Sequence, residues 1–150
     1  MNAKMGLYAE EESDKELSYQ LLRSLERATI DYTLFFRKLS RYDGNKSDIL
    51  DICVSRDSME KWLDKYSVRL EKETQEASKR HEKMLAVNPK YILKNHILQE
   101  SIVLADKGDY SMVQDLLKVS LSPCEEHPNL DHLSKSAPME SKNIKLSCSS

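Results

Sequence analysis

An all-α fold is what this sequence predicts, on three observations. Of its 150 residues, 32% are charged, 39% are hydrophobic and only three are glycine, a composition that suits helices with solvated faces better than a compact sheet. Apolar residues recur at intervals of three and four along most of the chain, the spacing that gathers side chains on one face of a helix. Serine, aspartate and asparagine precede several of these runs, where a side-chain oxygen can accept from an otherwise unpartnered backbone amide. Together they predict about five to six helices over residues 1–122 and an irregular tail over 123–150.

Taken in order, Ser13 followed by Glu16 has the form of a capping box, and Leu17, Leu21, Leu22 and Leu25 give a helix over about residues 14–28. Asp31 can cap a second helix, in which Tyr32, Phe35, Phe36 and Leu39 share a face. YDGN, Tyr42 to Asn45, ends it in a turn. Ser47 opens a short apolar stretch in which Cys53 reads as a small buried hydrophobe. Asp57 with Glu60 then starts the clearest stripe, Met59, Trp62, Leu63, Tyr66 and Leu70.

Beyond Leu70 the stripe thins into EKETQEASKRHEK, with Ala77 its one apolar residue and with Glu76 and Arg80 placed to pair at i, i+4. This stretch is expected along a surface or between packing partners. Asn88 as N-cap and Pro89 at the first helical position predict a helix that turns Tyr91, Leu98, Ile102 and Ala105 toward a core and closes at Gly108. Asp109 opens another with Val113, Leu116 and Leu117, which Pro123 closes. The remainder has two more prolines, many serines and no sustained period, so it is expected to be extended or partly disordered when alone.

The formal charge of -2 makes no global electrostatic case for nucleic acid, and no apolar run approaches membrane-spanning length. The first residues hold no apolar segment of the secretory kind and no transit peptide, so the chain is expected in the cytoplasm, where three cysteines do not imply a disulfide framework. Gly6, Gly44 and Gly108 stand too far apart to form a phosphate-cradling loop, and Asp43-Gly44 reads as a plain turn. Cys124, His127 and His132, with His81 or His96 as a fourth ligand, could reach one zinc, but their spacing matches no standard pattern and ordinary surface histidines are the plainer reading. His81 is expected in solvent. The acidic run Glu10 to Glu12 reads as a solvated segment, and Lys79, Arg80, Lys83, Lys90 and Lys94 form a modest basic patch. Cys148 differs from these: it lies among small polar residues near the chain end, where no core can bury it.

Five segments carry a resemblance: AKMGL (Ala3 to Leu7), DYTLFFRKLS (Asp31 to Ser40), VNPKYILKNHILQESI (Val87 to Ile102), GDYSMVQDLL (Gly108 to Leu117) and the terminal SCSS. In this order and at about this spacing the chain resembles the C-terminal part of the selenoprotein O (SelO) family, protein adenylyltransferases with a pseudokinase-like fold. The resemblance implies a helical C-terminal segment of a kinase-like fold. In intact members AMP passes from ATP to serine, threonine or tyrosine hydroxyls of proteins, with Mg2+ or Mn2+. It also implies that the nucleotide-binding, catalytic and metal-binding residues lie upstream, so no catalytic, cofactor or metal residue is carried over to this chain. The segment is then expected to be inactive alone, to bind no cofactor by itself, and to have a SelO-type catalytic domain as its partner. A truncated gene or a start within a longer frame would produce such a segment.

By position Cys148 matches the family residue, selenocysteine in many eukaryotic members, that is associated with redox control through a disulfide to the catalytic domain. Pairing with Cys124 is a further option for it. Cys124, His127-Pro128 and Ala137-Pro138 stand where the family has an aromatic residue, a glutamine-proline and a double proline. Eukaryotic members are mitochondrial. A second reading, of another class, is a free-standing helical interaction module that holds a protein through the faces around Trp62, Tyr66 and Leu98.

Overall fold

The structure is a computed structural model and describes residues 1–136. Among the described residues there are eight α-helices and one 3-10 helix, and no strand. Six of the helices have eight or more residues, so the expected all-α class and its five to six substantial helices are found. The chain divides into two compact units after Asn88, inside the VNPKY block and not at residues 122/123, where the composition changes.

The first unit holds α1 (Asn2–Met5), α2 (Asp14–Ala28), α3 (Tyr32–Leu39), α4 (Ser47–Leu50), α5 (Asp57–Leu70) and α6 (Ala77–Val87). Its core joins Leu17, Leu21 and Leu25 of α2, Phe35, Phe36 and Leu39 of α3, and Met59, Trp62, Leu63 and Tyr66 of α5. The periodic stripes read from the sequence therefore do face inward, except that Leu22 and Tyr32 are exposed. Trp62 stacks on Tyr66 with ring centroids 4.9 Å apart and meets Phe35 edge-on at 6.0 Å. Its Nε1 donates to Leu17 O at 2.9 Å, so the largest core side chain leaves no polar atom unpaired. Trp62 and Tyr66 are 2% and 0% exposed, which corrects the expectation that their face could hold a partner protein.

Helices α2 and α5 run antiparallel. Asp14 is bonded to Arg69, Leu17 to Trp62, Gln20 to Lys65 and Ser24 to Ser58, so from one end of α2 to the other the partners on α5 run from residue 69 down to 58. The bounds of α2 agree with the sequence expectation, but Ser13 makes no capping bond; Asp14 Oδ2 instead accepts from Glu11 N at 3.2 Å. Asp31 does cap α3, accepting from Leu34 N at 3.0 Å. Cys53 is half-buried against the core, with Sγ donating to Ile49 O.

The second unit contains α7 (Asn95–Ala105), α8 (Ser111–Leu121) and a 3-10 helix (Pro128–Ser134). Its core is Tyr91, Ile97, Leu116, Val119, Leu130 and Leu133. No helix begins at Pro89, because Lys90 N and Tyr91 N both donate to Pro123 O, at 2.7 and 3.1 Å, and hold that segment extended beside the end of α8. The helix starts at Asn95, which turns Ile97 and Ser101 inward and leaves Ile102 exposed, contrary to expectation. On α8 the inward face is Leu116 and Val119, while Val113 and Leu117 are exposed. The stretch after Pro123 also differs from the sequence reading over its described part. Leu130, at a kink within the 3-10 segment, and Leu133 are both buried.

Candidate functional site

The densest polar arrangement in the first unit surrounds Asn88. Sequence reasoning gave this residue a local role as an N-cap, but it is the C-cap of α6 and fully buried. Its Nδ2 donates to Lys4 O and to Ser40 Oγ, each at 2.9 Å, and its Oδ1 accepts from Lys4 Nζ at 3.3 Å. Its backbone O accepts from Arg37 Nη1 at 3.1 Å, and the same nitrogen donates to Leu85 O at 3.0 Å. One asparagine thus ties the first helix, α3 and the end of α6 together through bonds that no neighbour in sequence supplies.

Arg80 sits one layer away. It was expected to pair with Glu76, yet it is buried: Nη2 donates to Tyr42 O at 2.7 Å and Nη1 lies 3.4 Å from Tyr66 OH. His81, expected in solvent, is half-buried with Nε2 3.0 Å from Tyr42 O. Tyr66 OH donates to Met5 O at 2.6 Å, and burial pushes its phenol far above the ordinary value, so it stays a donor. Gly6 closes α1 in the left-handed region at φ 68°. A Cβ there would stand 2.5 Å from Met84 Sδ and 2.9 Å from Arg80 Cγ. Gly6→Ala combines backbone strain with crowding in a filled site and is expected to destabilise the first unit by about 2 kcal/mol, read as a lower urea midpoint of Trp62 fluorescence.

A buried ion cluster closes the opposite end of the α2–α5 seam. Arg69 donates to both oxygens of Asp14, at 2.6 and 3.1 Å, to Glu73 Oε1 at 2.9 Å, and to Ala9 O at 2.5 Å. Glu73 in turn accepts from the amides of Tyr8 and Ala9. The Arg69 hydrogen bond holds the Asp14 carboxyl below its ordinary range, against the opposing effect of burial. The sequence placed Glu10 to Glu12 in solvent and said nothing of Asp14.

In the second unit, Tyr91 OH accepts from His127 N at 3.2 Å, and the two rings meet edge-on at 5.3 Å. His127 Nε2 lies 2.9 Å from Ser122 Oγ. His127 is buried in these contacts, Cys124 is half-buried and His132 is exposed; among the described residues no group of three His, Cys, Asp or Glu side chains is placed to hold a metal. Lys90 bridges Glu126 and Asp131, each at 2.5 Å. Among the described residues no helix is long and apolar enough to cross a membrane.

The sequence profile of the family described as protein adenylyltransferase SelO matches residues 1–121. The chain belongs to the SelO family. Among curated relatives it is 37% identical over 151 residues to the protein nucleotidyltransferase YdiU of Aliivibrio salmonicida. It is 34% identical over 151 residues to that of Hydrogenovibrio crunogenus, and 33% over 152 residues to that of Pseudomonas aeruginosa. Each match covers 100% of this chain and 31% of the relative, so the chain spans about a third of their length.

Three of the SelO-like blocks read from the sequence meet in the junction just described. AKMGL supplies Lys4, Met5 and Gly6, DYTLFFRKLS supplies Arg37 and Ser40, and VNPKY supplies Asn88. The rest of VNPKY serves the second unit, through Lys90 and Tyr91. The named donors and acceptors are engaged with one another, so what these blocks do here is fix helices. The redox candidate Cys148, its option of pairing with Cys124, and the terminal SCSS block lie outside the described residues.

Proposed function

We propose that this chain is the helical C-terminal part of a SelO-type protein adenylyltransferase of the cytoplasm, and that it acts by seating against a kinase-like catalytic part. That part would hold ATP with Mg2+ or Mn2+ and transfer AMP to serine, threonine or tyrosine hydroxyls of protein substrates. The match of the family profile across residues 1–121, at 31% of the relatives' length, carries the reading. The three separated glycines support it, since a nucleotide site of the glycine-rich kind cannot be built from them.

The second unit offers a surface for such seating. Val113, Leu117 and Leu121 follow one another at i, i+4, i+8 on α8 and are 42%, 60% and 78% exposed. A stripe of this kind is unfavourable in water and favours burial against a further surface. The test is complementation: the remaining two thirds of a YdiU relative is expressed separately, and incorporation of labelled AMP into a protein substrate is followed with and without this chain. Restored labelling is expected, together with co-elution of the two parts, and Leu117→Asp should abolish both while leaving helicity unchanged. Absence of both association and labelling with the unaltered chain would overturn the reading.

The closed core of the first unit is the one observation that favours a free-standing module. A sharp, cooperative loss of Trp62 fluorescence on heating, with no association to the catalytic part, would select it.

A further inference from the structure

A cleft lies open along the α2–α5 seam, with a volume of about 340 Å³, at the lower end of the range for small-molecule sites. Its lining carries four cations, Arg23 and Arg27 from α2 and Lys61 and Lys65 from α5, against one carboxylate, Asp57. This concentration of positive charge stands out in a chain whose formal charge is -2. On each helix the two cations are one turn apart, and the antiparallel register sets Arg23 across from Lys61. Like charges facing across a seam repel, and an anion between them removes the repulsion.

The cations have not been neutralised from within. Among the described residues none of the four is in an ion pair; Lys65 donates to the neutral Gln20 at 2.7 Å, and Arg23 lies over the Tyr19 ring. One further feature aims a donor at the same place, in the first turn of α5, whose dipole Asp57 and Glu60 offset. Ser58, in that turn and on the cleft lining, has a buried Oγ with no hydrogen-bond partner, an arrangement that is uncommon unless something completes it.

We propose that this cleft binds a small soluble anion bearing two linked phosphates. From the level of Lys65 to that of Arg27 the cations span about seven residues of helix, or about 10 Å, a longer row than one phosphate can engage. Such binding concerns the first unit alone and needs no catalytic part.

The test is an amide NMR titration of the full chain with sodium pyrophosphate at constant ionic strength. Saturable shifts are expected at the amides around Gln20 to Arg27 and Asp57 to Lys65, with those of the second unit unmoved. Orthophosphate should bind more weakly at the same amides. The double variant Arg23→Gln/Lys61→Gln, both at exposed positions, should raise the pyrophosphate Kd by about tenfold or more with an unchanged circular dichroism spectrum. Three outcomes would overturn the proposal: no saturable shift up to about 5 mM, equal shifts with sulfate at matched ionic strength, or unchanged affinity in the double variant. The first would instead assign the cations to an acidic surface of a longer protein.

Discussion

Arg69→Met is expected to destabilise the first unit by about 3–5 kcal/mol, because it removes the one cation from a cluster that holds Asp14 and Glu73 buried. Methionine keeps much of the side-chain volume, so the loss reports charge and hydrogen bonding more than packing. A small domain is stable by about 5–15 kcal/mol, so the variant stands near the limit of folding. Trp62 is the one tryptophan and lies in the first unit, so its fluorescence in a urea titration follows that unit alone. An unchanged midpoint would show that the cluster contributes nothing net.

The pH dependence gives a second readout that differs in size between the two proteins. In the parent chain the folded Asp14 pKa lies below its unfolded value, near 3.9. Its contribution is therefore complete above about pH 4 and is lost as pH falls through the folded value. Without Arg69, burial is opposed only by the Glu11 amide bond and the charge of Lys72, so the depression of the Asp14 pKa is smaller. The loss of stability on acidification should then be shallower in the variant than in the parent, a contrast that a packing defect would not produce.

Asn88→Ala is expected to cost about 3 kcal/mol in the same assay, since it strands Lys4 O inside the fold and removes one bond each from Ser40 Oγ, which keeps Phe36 O, and from Lys4 Nζ, which keeps Val87 O. Asn88→Asp keeps the shape but replaces the Nδ2 donor with an acceptor aimed at Lys4 O, and should be no better than alanine. Equal stability of Asn88→Asp and the parent would show that the bonds to Lys4 O and Ser40 are not what holds the junction. Hydrogen exchange at the Met5 and Gly6 amides should quicken in both variants, because α1 is only four residues long and cannot persist unaided.

Local pattern in the sequence settles some of these elements and misses others. Helices α2, α3 and α5 were legible because their stripes and the Asp31 cap are local, and a local pattern decides a helix of that length. Arg80 and Asn88 were misread for the same reason. Each had a plausible partner within a turn, Glu76 for one and the following helix for the other, yet their bonds reach Tyr42, Ser40 and Lys4, which are 38, 48 and 84 residues away. Leu130 and Leu133 form too short a pair to register as a period. The cationic cleft was not anticipated, because its four cations sit on two helices whose meeting depends on the antiparallel register, which is a tertiary fact. That three SelO-like blocks converge on one asparagine is likewise a property of the packing.

The burial of Leu130 and Leu133 has a consequence for where the second unit can be cut. These two side chains complete a core whose other members, Tyr91, Ile97, Leu116 and Val119, all precede Pro123. A chain shortened to residues 1–122 would uncover the apolar surface that the 3-10 segment closes. The change of composition at Pro123 is therefore a poor place to end the second unit.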